Sequence, residues 1–193
     1  MARELEAKHK VDSHDPLREA LRSAGAALVY RGLETNWIFD TPQAALRKRG
    51  VGLRVRSVQV QEGPAQRATL TFKGPVRPSP YKERDELEVE VSDALRLGDL
   101  LRGLGFEPQL VYEKRREHWS CGGAHVELDE LPMLGHFVEI EGPDVATIDA
   151  VRTRLGLSGL PMIRDSYVAL VLAWLEAHAE AQRELRFDAA PHL

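Results

Sequence analysis

In stretch after stretch of this chain, charged residues alternate one for one with apolar ones, and each charged row carries mostly one sign. Successive side chains of a β-strand point to opposite faces, so such alternation specifies strands with one ionic and one apolar face. Glu4, Glu6, Lys8 and Lys10 share one face. Arg54 and Arg56 share another, opposed by Leu53 and Val55, while Arg67, Thr69, Thr71 and Lys73 oppose Ala68, Leu70 and Phe72. Then the sign changes. Arg84, Glu86, Glu88 and Glu90 oppose Leu87, Val89 and Val91, Lys114 and Arg116 lie together, Glu127 and Asp129 oppose Val126 and Leu128, and Glu139 and Glu141 oppose Val138 and Ile140. Alternation by itself fits the solvated face of an antiparallel sheet whose apolar face packs on helices. Segregation by sign goes further, because like charges on one face repel unless something binds them, and a solvated face normally mixes signs. If the sheet curls into a barrel with these rows inward, the basic rows could grip phosphate oxygens and the acidic rows hold hard cations. Helices would then cover the apolar outside, and the barrel would enclose a hydrophilic tunnel.

Turn and cap signals divide the chain around these rows. Strands are expected over residues 4–11, 28–39, 52–60, 67–73, 82–91, 109–119, 124–131 and 136–141, and the four between residues 28 and 91 should form a meander. The turns fall at Pro42, Gly50, Gly63-Pro64, Gly74-Pro75 and Gly122-Gly123. A first helix is marked by Asp15 as N-cap, Pro16 at the first helical position and Gly25 as a stop. Further helices are expected over residues 92–104, 144–155 and 166 to about 187. The last has an apolar stripe through Tyr167, Leu170, Val171, Trp174 and Leu175, suited to a core face or to a plug across one tunnel mouth. With 193 residues, 43% hydrophobic and 29% charged, the chain fits one domain over residues 1–187 with a frayed tail over 188–193.

The net charge of -4 argues against a general nucleic-acid or membrane-surface binder, so any positive site must be local. The longest apolar stretch, residues 167–175, is far short of the roughly 20 residues that span a bilayer. Cys121 is the only cysteine, and the opening MARELEAKHK lacks the apolar run of a secretory signal. A reducing cytoplasm is therefore expected. His9, His14, His118, His125 and His136 lack the helical spacing of a zinc site, and Cys121, beside Gly122-Gly123, is expected to be a hairpin residue.

Glu4-Leu5-Glu6-Ala7-Lys8 resembles the opening E-x-E-x-K motif of the CYTH proteins, the triphosphate tunnel metalloenzymes. The likeness continues in order through NWIFDTP (36–42), LRVR (53–56), TLTFKGP (69–75), RDELEVE (84–90), EKRR (113–116) and ELDELPMLGHFVEIEG (127–142), and so covers about residues 1–170. It implies an α+β fold: a closed eight-stranded antiparallel β-barrel tunnel, helices packed on its outside, holding a triphosphate with magnesium or manganese. Family members include class IV adenylate cyclases, thiamine triphosphatases and inorganic triphosphatases, so the resemblance implies the fold and not the product. Carried over by motif, Glu4, Glu6, Asp129, Glu139 and Glu141 imply metal ligands, and Arg54, Arg56, Lys73, Arg84, Lys114 and Arg116 imply phosphate contacts. Lys8 would sit by the triphosphate. Glu86 and Glu88 would either hold the arginines in place or ligate a second metal. Many relatives carry a tyrosine two positions before the aspartate matching Asp40; here that position is Ile38, beside Trp37, and no role resting on that tyrosine carries over.

In phosphoryl transfer a protein mainly positions the reacting groups and neutralises developing charge, which suits cations, metals and carboxylates without a serine or cysteine nucleophile. One metal and the basic rows would orient the triphosphate, and a second metal held by Glu4 and Glu6 would lower the pKa of an attacking water. Glu4, Glu6 and Lys8 are thus the expected catalytic group. Hydrolysis of tripolyphosphate or of an organic triphosphate such as thiamine triphosphate is favoured by NWIFDTP followed by LRVR. EKRR with LDELPMLGHFVEIE fits equally a cyclase that converts ATP to cyclic AMP and pyrophosphate. A module that binds triphosphate or polyphosphate without turnover is the third expectation. Trp37, Trp119 and Tyr112 could stack on an adenine or thiazolium, or simply pack. The outer apolar faces could support a homodimer.

Overall fold

The computed structural model describes residues 2–62, 67–180 and 183–187. In chain order the elements are β1 (Ala2–Val11), α1 (Asp15–Ser23), β2 (Ala27–Asp40), α2 (Ala45–Lys48), β3 (Gly52–Glu62), β4 (Arg67–Lys73), β5 (Lys82–Val91), α3 (Ala94–Gly103), β6 (Glu107–Cys121), β7 (Ala124–Leu131), β8 (Gly135–Glu141), α4 (Val145–Arg154), α5 (Tyr167–Ala177) and β9 (Glu184–Leu185). The first eight strands run antiparallel in the order β2-β3-β4-β5-β1-β8-β7-β6, and β6 returns to pair with β2, which closes the barrel. The meander from β2 to β5 is present as expected.

Register explains why rows of one sign are tolerated. Lys73 stands opposite Glu86 and Thr71 opposite Glu88, so the acidic row of β5 faces a basic and hydroxylic row. Lys8 pairs with Glu139 across β1 and β8, and Arg116 with Asp129 across β6 and β7. Period-2 alternation then sends the apolar partners of every row outward. Leu5, Ala7, Val126, Val138 and Ile140 pack there with Leu17 and Leu21 of α1 and Ile148 and Val151 of α4. Val55 and Phe39 pack there with Leu101 of α3, whereas Leu110, Leu131 and Phe137 share the inward face with Lys114, Asp129 and Glu139 and pack with Tyr167, Val171 and Leu175 of α5, which seats against the interior at one end of the barrel.

Two glycine positions are forced by geometry. Gly122 and Gly123, both at positive φ (60° and 83°), make the two-residue turn of the β6–β7 hairpin, which L side chains oppose. At Gly32, where the register of β2 shifts against β3, a Cβ would stand 2.6 Å from the Gln59 carbonyl oxygen.

The first helix begins one residue earlier than expected. His14, without a side-chain cap, holds the N-cap position, and Asp15 is the first helical residue, where it pairs with Arg18 at 2.5 Å. The short α2 was not expected; the Asp40 carboxylate draws the chain round by accepting the N–H groups of Thr41, Leu46 and Arg47 at 2.7, 2.8 and 2.9 Å. The larger correction concerns the last helix, which stops at Ala177 instead of running to about residue 187. Val111 and Tyr112 of β6 offer backbone groups beyond the stretch that β7 covers, and β9 pairs there in parallel register. The Val111 N–H donates to the Arg183 carbonyl at 2.9 Å, and Glu113 accepts from Arg186 and from the Phe187 N–H. Edge pairing here overrides the helix propensity of the segment. The Gly63-Pro64 turn and the tail over 188–193 lie outside the described residues, among which no helix is long and apolar enough to cross a membrane.

Candidate functional site

A cavity of about 780 Å³ lies within the barrel and is lined by Glu4, Glu6, Lys8, Arg54, Arg56, Lys73, Arg84, Glu86, Glu88, Lys114, Arg116, Glu139 and Glu141. Every residue expected in the site therefore reaches the tunnel except Asp129, which is fully buried and held behind the Arg116 guanidinium at 2.6 and 2.5 Å.

The charges sort into groups along the tunnel. Arg116 binds Glu127 at 2.5 Å and Glu139 at 3.0 Å besides Asp129. Glu127, Asp129 and Glu139 each offer an oxygen within 4.8 Å of the others, a carboxylate trio that could hold a cation. Lys8 sits at 3.2 Å from Glu139, donates to the Asp165 carbonyl at 2.8 Å and lies 4.1 Å above the Tyr167 ring. Burial opposes the Lys8 charge, yet Glu139 and Glu6 outweigh it and hold its ammonium above the ordinary range. Glu6 is tied to Lys82, while Lys73 bridges Glu4 at 2.6 Å and Glu86 at 2.7 Å. Glu88 accepts from Thr71 at 2.7 Å and holds Arg56 and Arg54 at 3.5 and 3.7 Å.

Glu34, which sequence reasoning missed, is a hub of this network. It has no exposed surface and faces Lys114 at 3.3 Å, Arg56 at 3.4 Å and Arg116 at 3.8 Å, and it accepts from the Tyr30 hydroxyl at 2.9 Å. Burial opposes its charge, but these three cations keep it ionised well below the usual carboxylate range. Lys82 and Asn36 were also missed, and Glu127, placed in an acidic row, was not assigned to the site. Each lies an even number of residues from an expected position on its own strand, and that spacing was the available signal: Lys82 is two before Arg84, Glu127 two before Asp129, and Asn36 four before Asp40. Tyr167 belongs to the apolar stripe as expected and also carries the ring beneath Lys8.

The aromatic candidates divide differently. Trp119 packs in the outer core against Leu17, Leu21 and Ile148, and Trp37 packs against the cluster beneath α3. Tyr112 borders the cavity, 3% exposed, among the residues packed on α5.

Two features leave chemistry open to a ligand. Arg54 and Arg56 line the cavity, and among the described residues none accepts a hydrogen bond from their Nε–H groups. Glu141 has the opposite problem: burial, with Glu127 and Glu4 nearby, pushes its carboxyl up to about 8. Oε2 of Glu4 is buried and stands 4.0 Å from Arg84 Nε. A buried carboxyl held protonated near neutral pH would ionise beside a divalent cation bound by hard oxygens. The trio of Glu127, Asp129 and Glu139 could hold one.

The chain is similar to known proteins in sequence and in fold. The CYTH domain family matches residues 2–154. The chain is 30% identical over 188 residues, covering 92% of itself and 93% of the relative, to a protein of Aeromonas hydrophila named adenylate cyclase CyaB. A solved Pyrococcus horikoshii structure superposes with a TM-score of 0.74 at 28% identity, over 89% of this chain and 99% of that one. A Hippeastrum structure described as a putative adenylyl cyclase with a dominant triphosphatase activity superposes at 0.68 over 90% and 96% of the two chains; at 20% identity this likeness is one of fold. With a closed barrel, a charged bore and a family match over most of its length, the chain belongs to the CYTH domain family.

Proposed function

We propose that the chain hydrolyses a triphosphate in a divalent-metal-dependent reaction inside the tunnel. The observation that carries this reading is the pair of guanidinium groups of Arg54 and Arg56, which line the cavity with Nε–H groups that no described residue accepts from, beside Glu141, whose carboxyl is pushed up to about 8 by burial and by Glu127 and Glu4. Guanidinium groups suit phosphate oxygens because their planar forks donate in pairs. Arg54, Arg56, Arg84 and Arg116, with Lys8, Lys73 and Lys114, bind and align the phosphates. Glu34 and Glu88 fix Arg54 and Arg56 in place. Glu4, Glu6, Asp129, Glu139 and Glu141 would hold magnesium or manganese, with Glu127 joining the set. The ion would supply neutralisation of phosphate charge and a lowered pKa for the attacking water. Lys8, kept charged in a tunnel wall with 2% of its surface exposed, holds the phosphate chain beside Glu4 and Glu6. In-line attack by water breaks the bond to the leaving phosphate and releases orthophosphate.

A second reading is favoured by the 30% identity to the Aeromonas hydrophila protein named adenylate cyclase. The same binding set would then hold ATP so that its ribose 3′-hydroxyl attacks the α-phosphate and expels pyrophosphate. The test is to incubate the protein with magnesium or manganese and, separately, tripolyphosphate, ATP and thiamine triphosphate, and to resolve the products. Orthophosphate from tripolyphosphate or from thiamine triphosphate supports hydrolysis, and cyclic AMP with pyrophosphate from ATP establishes the cyclase instead. Tight binding without product would leave a binding module.

A further inference from the structure

A feature of the tunnel that the phosphate chemistry does not use lies where β2 begins and β6 ends. The rings of Tyr30, His118 and His125 form one continuous stack there, with centroids 5.3 Å apart at 12° between Tyr30 and His118, and 4.9 Å apart at 27° between His118 and His125. Tyr30 and His118 line the cavity, and His125, exposed, ends the stack. The inner rings are held by the ionic network: the Tyr30 hydroxyl donates to Glu34 at 2.9 Å, and His118 Nδ1 lies 3.3 Å from Glu127. Those two carboxylates also hold Arg56 and Arg116, at 3.4 Å from Glu34 and 2.5 Å from Glu127 respectively. The stack is therefore fixed in position relative to the phosphate-binding cations.

Near-parallel rings at these separations are a favourable aromatic arrangement, and a flat π-face tolerates any planar heterocycle laid upon it. Trp37 and Trp119 are poorly placed for that task because they pack outside the barrel, and Tyr112, 3% exposed, offers little surface. We propose that Tyr30, His118 and His125 form the platform on which the heteroaromatic group of an organic triphosphate stacks while its phosphates lie among Arg54, Arg56 and Arg116. The proposal rests on the triphosphate reading above and makes the natural substrate an organic triphosphate, with tripolyphosphate as a truncated analogue.

The test compares dissociation constants for ATP, thiamine triphosphate and tripolyphosphate by calorimetry, with calcium as the divalent ion to slow turnover. His125→Ala is expected to weaken at least one organic triphosphate about five- to thirty-fold while moving tripolyphosphate by less than about twofold. His125→Phe keeps a ring and should bind that same ligand within about twofold of the parent. Which organic ligand responds identifies the heterocycle, a purine or a thiazolium-bearing group. Equal weakening of all three ligands, or no weakening of either organic one, overturns the platform while leaving the triphosphate reading intact. Failure of the unmodified protein to bind tripolyphosphate overturns both.

Discussion

Replacing Glu141 by glutamine should stabilise the metal-free protein at neutral pH and destabilise its complex with a divalent cation. In the folded chain the carboxyl is pushed from an ordinary 4.5 up to about 8, by burial first and then by Glu127 and Glu4. A raised carboxyl pKa means that the folded state keeps a proton which the unfolded chain gives up. Stability is therefore lost as pH rises from 4.5 towards about 8 and is restored below 4.5, where both states are protonated. At roughly 1.4 kcal/mol per pH unit, the gap costs about 3 kcal/mol at pH 7, a ceiling because the site has partial access to water. Glutamine, of nearly the same shape and always neutral, removes that cost. In a chain of this size the gain corresponds to a rise in Tm of roughly 6 to 12 °C at pH 7, fading to nothing near pH 4. The assay is thermal unfolding in chelator at pH 4, 5.5, 7 and 8, repeated at pH 7 with saturating magnesium, where the parent should gain more than the variant. A variant no more stable than the parent at pH 7 in chelator, or one whose advantage does not shrink on acidification, would refute the reasoning.

Other outcomes follow from the same network. Arg54→Ala with Arg56→Ala removes two of the unused donors, and at about 1.5–3 kcal/mol for each charged hydrogen bond the affinity for tripolyphosphate, measured by calorimetry, should fall by at least about a hundredfold. Tm should change little, since Glu34 keeps Lys114 and Arg116 beside it. Glu34→Ala leaves three buried cations without their shared counter-charge and should cost about 3–5 kcal/mol in urea unfolding, even without ligand. Equal stability of that variant would mean that Glu34 does not anchor the arginines. Gly32→Ala should destabilise through backbone displacement, because its Cβ would stand 2.6 Å from the Gln59 carbonyl oxygen; an unchanged Tm would show that the strands part freely there.

The barrel was legible because period-2 alternation is a backbone property: residues 67–73, 82–91 and 124–131 were bounded correctly from pattern alone. The tunnel was legible because inward rows of one sign need answering charges on neighbouring strands, as Arg116 has in Asp129 and Lys73 in Glu86. β2 concealed its contribution for the opposite reason. Its inward residues, Tyr30, Gly32, Glu34, Asn36, Ile38 and Asp40, form no row of one charge, so Glu34 gave no sign of being a hub. The end of α5 was illegible because the vacant edge of β6 that competes for residues 184–185 is far away in sequence. Asp40 showed its place in a motif but not its work of folding α2, which depends on three backbone N–H groups converging on one carboxylate.

The most direct test of the account is orthophosphate release from tripolyphosphate as a function of manganese or magnesium, by the parent and by Glu4→Gln with Glu6→Gln, both confirmed as folded. The account predicts turnover in the parent that chelator abolishes, and a loss of at least about a hundredfold in the double variant, as removal of charges that act on the transition state should give. Turnover surviving within a few-fold in the variant, or undiminished in chelator, would contradict it.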